Sequence, residues 1–281
     1  WVNVFESFIN DLKKGYTPNP DVFCNKEIKF KQFYQYAISQ GFDMIATGHY
    51  AKKCNSKNIE LHMPKDKTKD QTYFLYMLNE EVLEKTLFPL DSLKKSEVKS
   101  IAKDMGLGLE EKKESMGICF IGKKNFTKFI KKYLKNHPGN ILDESGKVIG
   151  KHQGLFNYTI GQRRGIGIGG ISDASNNPWF VMSKDVSNNN LVVTQDEEKL
   201  LYKGKLLLSS TSWVHDAPKN EVYTARFRHG GKLVPVLIEE KDRRYYVILE
   251  DYERAVTIGQ SAVIYRHNEC LGGGIIEQLS Q

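Results

Sequence analysis

Asp43-Met44-Ile45-Ala46-Thr47-Gly48-His49-Tyr50 decides the fold. Five residues of strand character run into a glycine-bearing loop. Ahead of them Phe30, Phe33, Tyr34 and Ala37 recur at helical spacing, with Asn25 placed to cap that helix and Gly41 to end it. Helix, short buried strand, then loop is an α/β unit, and such sheets bind ligands at the carboxyl ends of their strands. Gly48 and His49 stand at such an end, although a histidine there can equally belong to the core.

Toward the N-terminus, Phe5, Phe8, Ile9 and Leu12 predict a helix that stops at Gly15. Residues 16–21 read as a turn, because Pro18 and Pro20 restrict the backbone and Asn19 suits one. Cys24 follows, just before the helical pattern, where a thiol is drawn toward thiolate. Asp21 is either a cap or an acid/base group close to Cys24. A second cysteine, Cys119, lies in Gly117-Ile118-Cys119-Phe120-Ile121-Gly122, between glycines that let other groups approach the backbone. The two thiols are either small buried hydrophobes or a pair that carries sulfur.

Toward the C-terminus, 50–63 reads as a hairpin around Asn55-Ser56-Lys57-Asn58, and 66–70 as a polar loop. Helices are expected over 71–78, 80–87, 96–105 and 125–134, the last with a lysine-rich outer face. After His137-Pro138-Gly139 the pattern turns to strands over 150–160, 179–182 and 191–194. From 205 onward come strands over 223–229, 233–239, 244–249 and 260–265, regular enough for a small barrel or sandwich. The expected division is a truncated α/β nucleotide-binding domain over 1–122, a β-rich central domain over 123–204 and a C-terminal β-barrel over 205–281.

The 281 residues suit about two domains and an ample core, with 27% charged and 40% apolar residues. No apolar run reaches membrane-spanning length, and the opening Trp1-Val2-Asn3-Val4-Phe5-Glu6 has no basic signal region. It also has no initiator Met, so a missing N-terminus is expected. The net charge of +7 points toward a polyanion or toward simple solubility. Four cysteines without a C-x-x-C exclude a zinc ribbon and suggest a reducing, cytoplasmic setting.

Several motifs remain double-edged. Gly165-Ile166-Gly167-Ile168-Gly169-Gly170 matches a dinucleotide fingerprint in letters only, since a loop follows where a helix is required. Arg163 and Arg164 before it form either a phosphate grip or a solvated turn. Lys69-Asp70-Gln71 opens a helix and can meet a phosphate or a base edge, or simply cap that helix. Arg226-Phe227-Arg228-His229 combines cations and an aromatic ring as RNA-binding barrels do, and as ordinary exposed strands also do.

Taken in order, these stretches resemble the tRNA-specific 2-thiouridylases. The matching segments are 17–30 with its Thr-Pro-Asn-Pro-Asp and Cys-Asn-Lys-Glu, Ala46-Thr47-Gly48-His49-Tyr50, 69–75, 117–122, His152-Gln153-Gly154, 159–165, 259–263 and 270–276. The resemblance implies a PP-loop ATPase fold of the adenine-nucleotide hydrolase type, and ATP, with Mg as its counter-ion, activating C2 of a wobble uridine through an adenylated intermediate. It further implies a persulfide on Cys119, with Cys24 as the thiol that assists sulfur release and can form a disulfide with it, and Asp21 as the acid/base residue. By the same resemblance Asn19 and Pro20 line the base pocket. His49, Lys69, Asp70, Gln71, Arg226, Phe227 and Gln260 contact tRNA, and Gly48 contacts ATP. No metal site is implied. The implied partners are tRNA and a persulfide donor, either a cysteine desulfurase or a sulfur-relay protein, acting with a monomer. The family's Ser-Gly-Gly-x-Asp-Ser loop is not found in this chain, so the polypeptide alone is expected to be catalytically weak. Two other readings stay open: a tRNA-binding protein without catalysis, and an adenylating enzyme for a small molecule.

Overall fold

The computed structural model describes residues 2–108, 129–135, 137–168, 177–219 and 221–280. Helix α1 (Val2–Lys13) presses Phe8, Ile9 and Leu12 inward, as their spacing predicts, against Ile130 and Leu134. Of the helix expected over 125–134, residues 125–128 lie outside the described ones; Phe129 and Ile130 are helical and 131–134 form a turn and bend, with Lys131, Lys132 and Lys135 exposed. Gly15 ends α1 with φ +80°.

Helix α2 (Pro20–Phe23) starts where Asn19 leaves the extended region, and its Oδ1 accepts the backbone N–H of Asp21 at 3.2 Å. Proline in the first helical turn loses no hydrogen bond, and an acidic residue there complements the helix dipole. Asn19 is therefore the cap, and not Asn25. The chain continues without a break through a π-helix (Cys24–Phe33) into α3 (Tyr34–Ser39). Wider π turns change which side chains face inward. Cys24, Asn25 and Phe30 are buried, whereas Phe33, expected on the apolar face, is 53% exposed.

The decisive strand is shorter than expected. Only Ile45–Ala46 forms β1, with Ile45 buried and Met44 exposed. The expected hairpin forms from β2 (Lys52–Asn55) and β3 (Ile59–His62). Helix α4 (Thr72–Leu75) stops sooner than predicted, and α5 (Glu80–Glu84) gives way to β4 (Thr86–Leu87), which pairs in parallel with β1. Thr86 has the branched Cβ that favours a strand. Helix α6 (Lys95–Asp104) follows as predicted within a residue.

The central region is a four-stranded sheet in the order β6-β5-β8-β7, built from β5 (Gly139–Leu142), β6 (Val148–His152), β7 (Phe180–Asp185) and β8 (Asn190–Thr194). The strand predicted over 150–160 ends at His152, because Gly154 takes φ +122° and a short 3-10 turn, Leu155–Asn157, follows.

Short β9 (Leu201–Tyr202) leads into β10 (Lys205–Trp213), β11 (Val222–Arg226), β12 (Val234–Lys241) and β13 (Arg244–Leu249). Then come β14 (Glu253–Arg254), which pairs with β9, β15 (Ser261–Arg266) and the twelve-residue β16 (Glu269–Ser280). The order β10-β13-β12-β11-β15-β16 closes on itself through a second β10–β16 pairing, giving a six-stranded barrel. Closure removes the sheet edges along these strands. Beyond it, β16 also pairs with β3, Cys270 opposite Leu61, so the early hairpin extends the barrel sheet. Val263, Tyr265 and Cys270 of the barrel share one buried cluster with Phe30, Tyr73 and Tyr76. No helix among the described residues is long and apolar enough to cross a membrane.

Candidate active site

The turn from Thr17 to Cys24 is held from two sides. Asn25 Nδ2 donates to the Phe74 carbonyl at 3.2 Å, which ties the helical run to α4. From the barrel, Ile258 accepts the Thr17 N–H at 3.3 Å, and Gln260 Nε2 donates to the Thr17 carbonyl. Gly259 makes this approach possible, since it adopts φ +89° and a Cβ there would crowd Thr17 N and Tyr16 Cβ at 3.1 Å.

Cys24 is buried in the fifth position after the cap, and its N–H is already bonded to the carbonyls of Pro20 and Asp21. The first-turn amides that would draw a thiol toward thiolate lie earlier in the helix, so that sequence argument does not apply as stated. Asp21 keeps partial exposure in the first turn. Cys119 and the 117–122 segment lie outside the described residues, as do Gly169 and Gly170.

Lys69-Asp70-Gln71 connects three regions. Gln71 accepts the Tyr50 N–H at 2.9 Å and donates its own N–H to the Tyr50 carbonyl at 3.0 Å, which fixes the loop after Gly48-His49. Asp70 is buried. It accepts from Thr72 N at 3.1 Å and Thr72 Oγ1 at 2.8 Å, and it pairs with the Arg226 guanidinium. Because Thr72 Oγ1 spends its proton on Asp70, the Tyr265 hydroxyl donates to Thr72 at 3.2 Å. Arg226 lies over the Tyr265 ring, 5.4 Å from its centre. Asp70, Arg226 and Gln260, expected as tRNA contacts, therefore bond the α/β region to the barrel. Phe227 is buried in the barrel core, because β11 ends at Arg226 and the chain folds inward there. It is not a stacking surface for a base.

His49 is buried at the end of β1. Its Nδ1 lies 2.7 Å from Thr47 Oγ1 and its Nε2 lies 3.5 Å from Lys29 Nζ. A charged lysine donates only, so Nε2 accepts and Nδ1 carries the proton toward Thr47. Burial, then the Lys29 charge, lower the His49 pKa from 6.5 to about 4, which keeps the ring neutral. Gly48 is exposed, and added bulk there would meet only Leu90 at 4.0 Å, so a ligand can reach that strand end.

His229 is a neighbour that sequence reasoning left without a role. Its ring stacks on Phe74 at 4.4 Å between centres. Burial lowers its pKa, Asp70 and Asp21 oppose that, and Arg226 adds to it. The signal was its place in Arg226-Phe227-Arg228-His229, but its partners lie about 150 to 200 residues away in sequence. Among the described residues no group of three His, Cys, Asp or Glu side chains could hold a metal ion.

An α/β domain followed by two β domains, with the last packed against the first, defines a multidomain α/β-plus-β architecture. Residues 1–123 match the tRNA methyl transferase HUP domain, 127–195 the tRNA methyl transferase PRC-barrel domain and 203–276 the aminomethyltransferase beta-barrel domain. The chain is 47% identical to the tRNA-specific 2-thiouridylase MnmA of Pseudomonas fluorescens (strain SBW25), covering 99% of this chain and 75% of that protein. It is 49% identical to tRNA-specific 2-thiouridylase MnmA 2 of Aliarcobacter butzleri (strain RM4018), covering 97% and 77%. The same comparison with MnmA of Streptococcus agalactiae serotype III (strain NEM316) gives 47%, over 99% and 76%. The chain belongs to the tRNA-specific 2-thiouridylase family.

Proposed function

We propose that the chain performs the base-recognition and sulfur-transfer steps of 2-thiolation of the wobble uridine in tRNA. The observation that carries this reading is the Asn19–Cys24 turn, clamped between α4 and the barrel so that Asp21 and Cys24 share one short helical turn. Family descriptions that speak of methyl transfer fit these residues less well. Methyl transfer needs no thiol, whereas delivering sulfur needs a soft nucleophile and a second thiol to release it.

In this reading Cys119 carries the transferable sulfur as a persulfide received from a cysteine desulfurase or a relay protein. The terminal sulfur attacks C2 and displaces the activated oxygen as the leaving group. Cys24 then attacks the Cys119 sulfur, which leaves the other sulfur on the base as the thiocarbonyl and closes a Cys24–Cys119 disulfide that an external thiol reduces. Asp21 holds or moves the proton at the base, and Asn19 and Pro20 shape its surroundings. ATP, with Mg as its counter-ion, supplies the activation that turns the C2 oxygen into a good leaving group. The open strand end at Gly48 fits an approaching nucleotide. His49 follows Gly48 directly, Gln71 bonds Tyr50 beside it, and Lys69 stands two residues before Gln71. The target base must leave the anticodon stack to reach Asp21. We place the domain boundaries at 122/123 and 204/205, and the protein in the cytosol as a monomer.

The test is replacement of Cys119 and of Cys24 by Ser in the complete protein, with tRNA sulfur content measured by retardation in mercury-containing gels. Both variants should bind tRNA normally and leave it unthiolated. Normal thiolation by Cys119→Ser would overturn the sulfur-carrier role and favour a binding protein.

A further inference from the structure

A cavity of about 170 Å³ lies between α1, the 16–20 turn and the central domain. Tyr16, Thr17, Pro18, Phe156, Tyr158 and Thr159 line it together with side chains of α1. A cavity of roughly 150 Å³ accepts a benzene ring, so this one is sized for a single six-membered ring. Its walls are aromatic, which suits base stacking. The cavity shares Pro20 with the Asn19–Cys24 turn, but Asn19, Asp21 and Cys24 do not line it. It is a neighbour of the modified base's site and not the same place.

Charge gives the direction of the strand. Thr159 is bonded through its N–H to Gln162 Oε1 at 3.0 Å, and Gln162 Nε2 donates to the Arg164 carbonyl at 2.8 Å, which shapes the loop. Arg163 and Arg164 on this loop are exposed and form no ion pair among the described residues. The larger cleft of the central domain, about 770 Å³, is lined by Asp143, Glu144, Asp196 and Glu197 with Lys199 as its cation. That cleft repels a phosphodiester, whereas the arginine loop attracts one.

Resting on the reading that the chain binds tRNA, we propose that this cavity takes the pyrimidine ring of a nucleotide flanking the wobble uridine. Tyr16, Phe156 and Tyr158 enclose the ring, and Arg163 and Arg164 hold the adjoining phosphate. Occupying the neighbour's position outside the stack would help expose the wobble base.

The test uses the protein with tRNA carrying a 5-fluoropyrimidine at each position directly beside the wobble uridine, read by fluorine NMR and by titration. One label should change shift on binding, and Phe156→Ala should abolish that change. Arg163→Gln with Arg164→Gln removes both charges from exposed positions. This double variant should weaken tRNA binding and lower its salt slope by about 2, while thermal stability stays level. If tRNA binds and neither label moves, or the double arginine variant binds as tightly as the parent, the cavity proposal is overturned. If tRNA does not bind the unsubstituted protein at all, the tRNA reading beneath it falls instead.

Discussion

The barrel and the α/β region reach order by different routes. The barrel closes its six strands on one another and fills its interior with Leu206, Val236, Val247 and Ile264 from its own strands. Among the described residues of the α/β region the only parallel pair, β1 with β4, is two residues long, and Tyr36, Phe42, Met44 and Leu87 stand exposed around it. Its interior is completed by Val263, Tyr265 and Cys270 from the barrel. The contrast teaches that the barrel is more than an RNA-binding appendage. It is the wall against which the Asn19–Cys24 turn and Lys69-Asp70-Gln71 are set.

The largest effect should come from the barrel seam. Gly272 has φ +133°, and a Cβ there would overlap Ser212 O and Trp213. Gly272→Val should cost about 4 kcal/mol or more, through backbone strain and steric overlap together. A soluble variant with an unchanged denaturation midpoint would show that closure is not what orders this region.

Next is the bond between the two regions. Removing one member of a buried ion pair costs about 3 kcal/mol or more, because the other charge is left without compensation. Asp70→Ala should show that loss, and Asp70→Ala with Arg226→Met should recover part of it. The same variants separate bonding from tRNA contact. If Arg226 met a phosphate, its loss would lower the salt slope of tRNA binding by about 1, whereas an arginine engaged by Asp70 leaves the slope alone.

The α/β region should also respond to acid through His49. Its folded pKa of about 4 lies below the ordinary 6.5, so the unfolded chain binds the proton more readily. The associated stability is complete above pH 6.5 and is lost as pH falls toward about 4, at most about 3 kcal/mol. Denaturation of His49→Gln across that window should be flatter than that of the parent, and parallel curves would refute the buried neutral ring.

Smaller still is the cap. Asn19→Ala should cost about 1 kcal/mol, read as faster amide exchange over 20–24. Least of all, Met44→Gln on the exposed face should change stability by no more than about 0.5 kcal/mol. A larger loss would mean that this face is covered.

Much of this was legible in the order of residues. The spacing of Phe8, Ile9 and Leu12 and the hairpin around Asn55-Ser56-Lys57-Asn58 each act over a few residues and appear as predicted, whereas the turn expected over 16–21 ends at Asn19, because Pro20 opens α2. Local rules failed where distant chain decided the outcome. Asn25 looks like a cap until Phe74 claims its side chain, and Phe33 looks buried until π turns rotate it outward. Phe227 carries the letters of a stacking residue, but the barrel interior takes its ring.

Sequence by itself determined the α/β-then-β order, the family and the chemistry of the candidate residues, because side-chain type and short-range periodicity are written in the chain. Tertiary structure alone decided that Asp70 would meet Arg226, that Gln260 would hold Thr17, that β3 would join β16, and that Tyr16 and Phe156 would face a common cavity. These contacts join residues 140 to 243 positions apart or link a hairpin to a distant strand. Such pairings follow from where burial and hydrogen bonding can be satisfied together, and no local pattern in the chain encodes them.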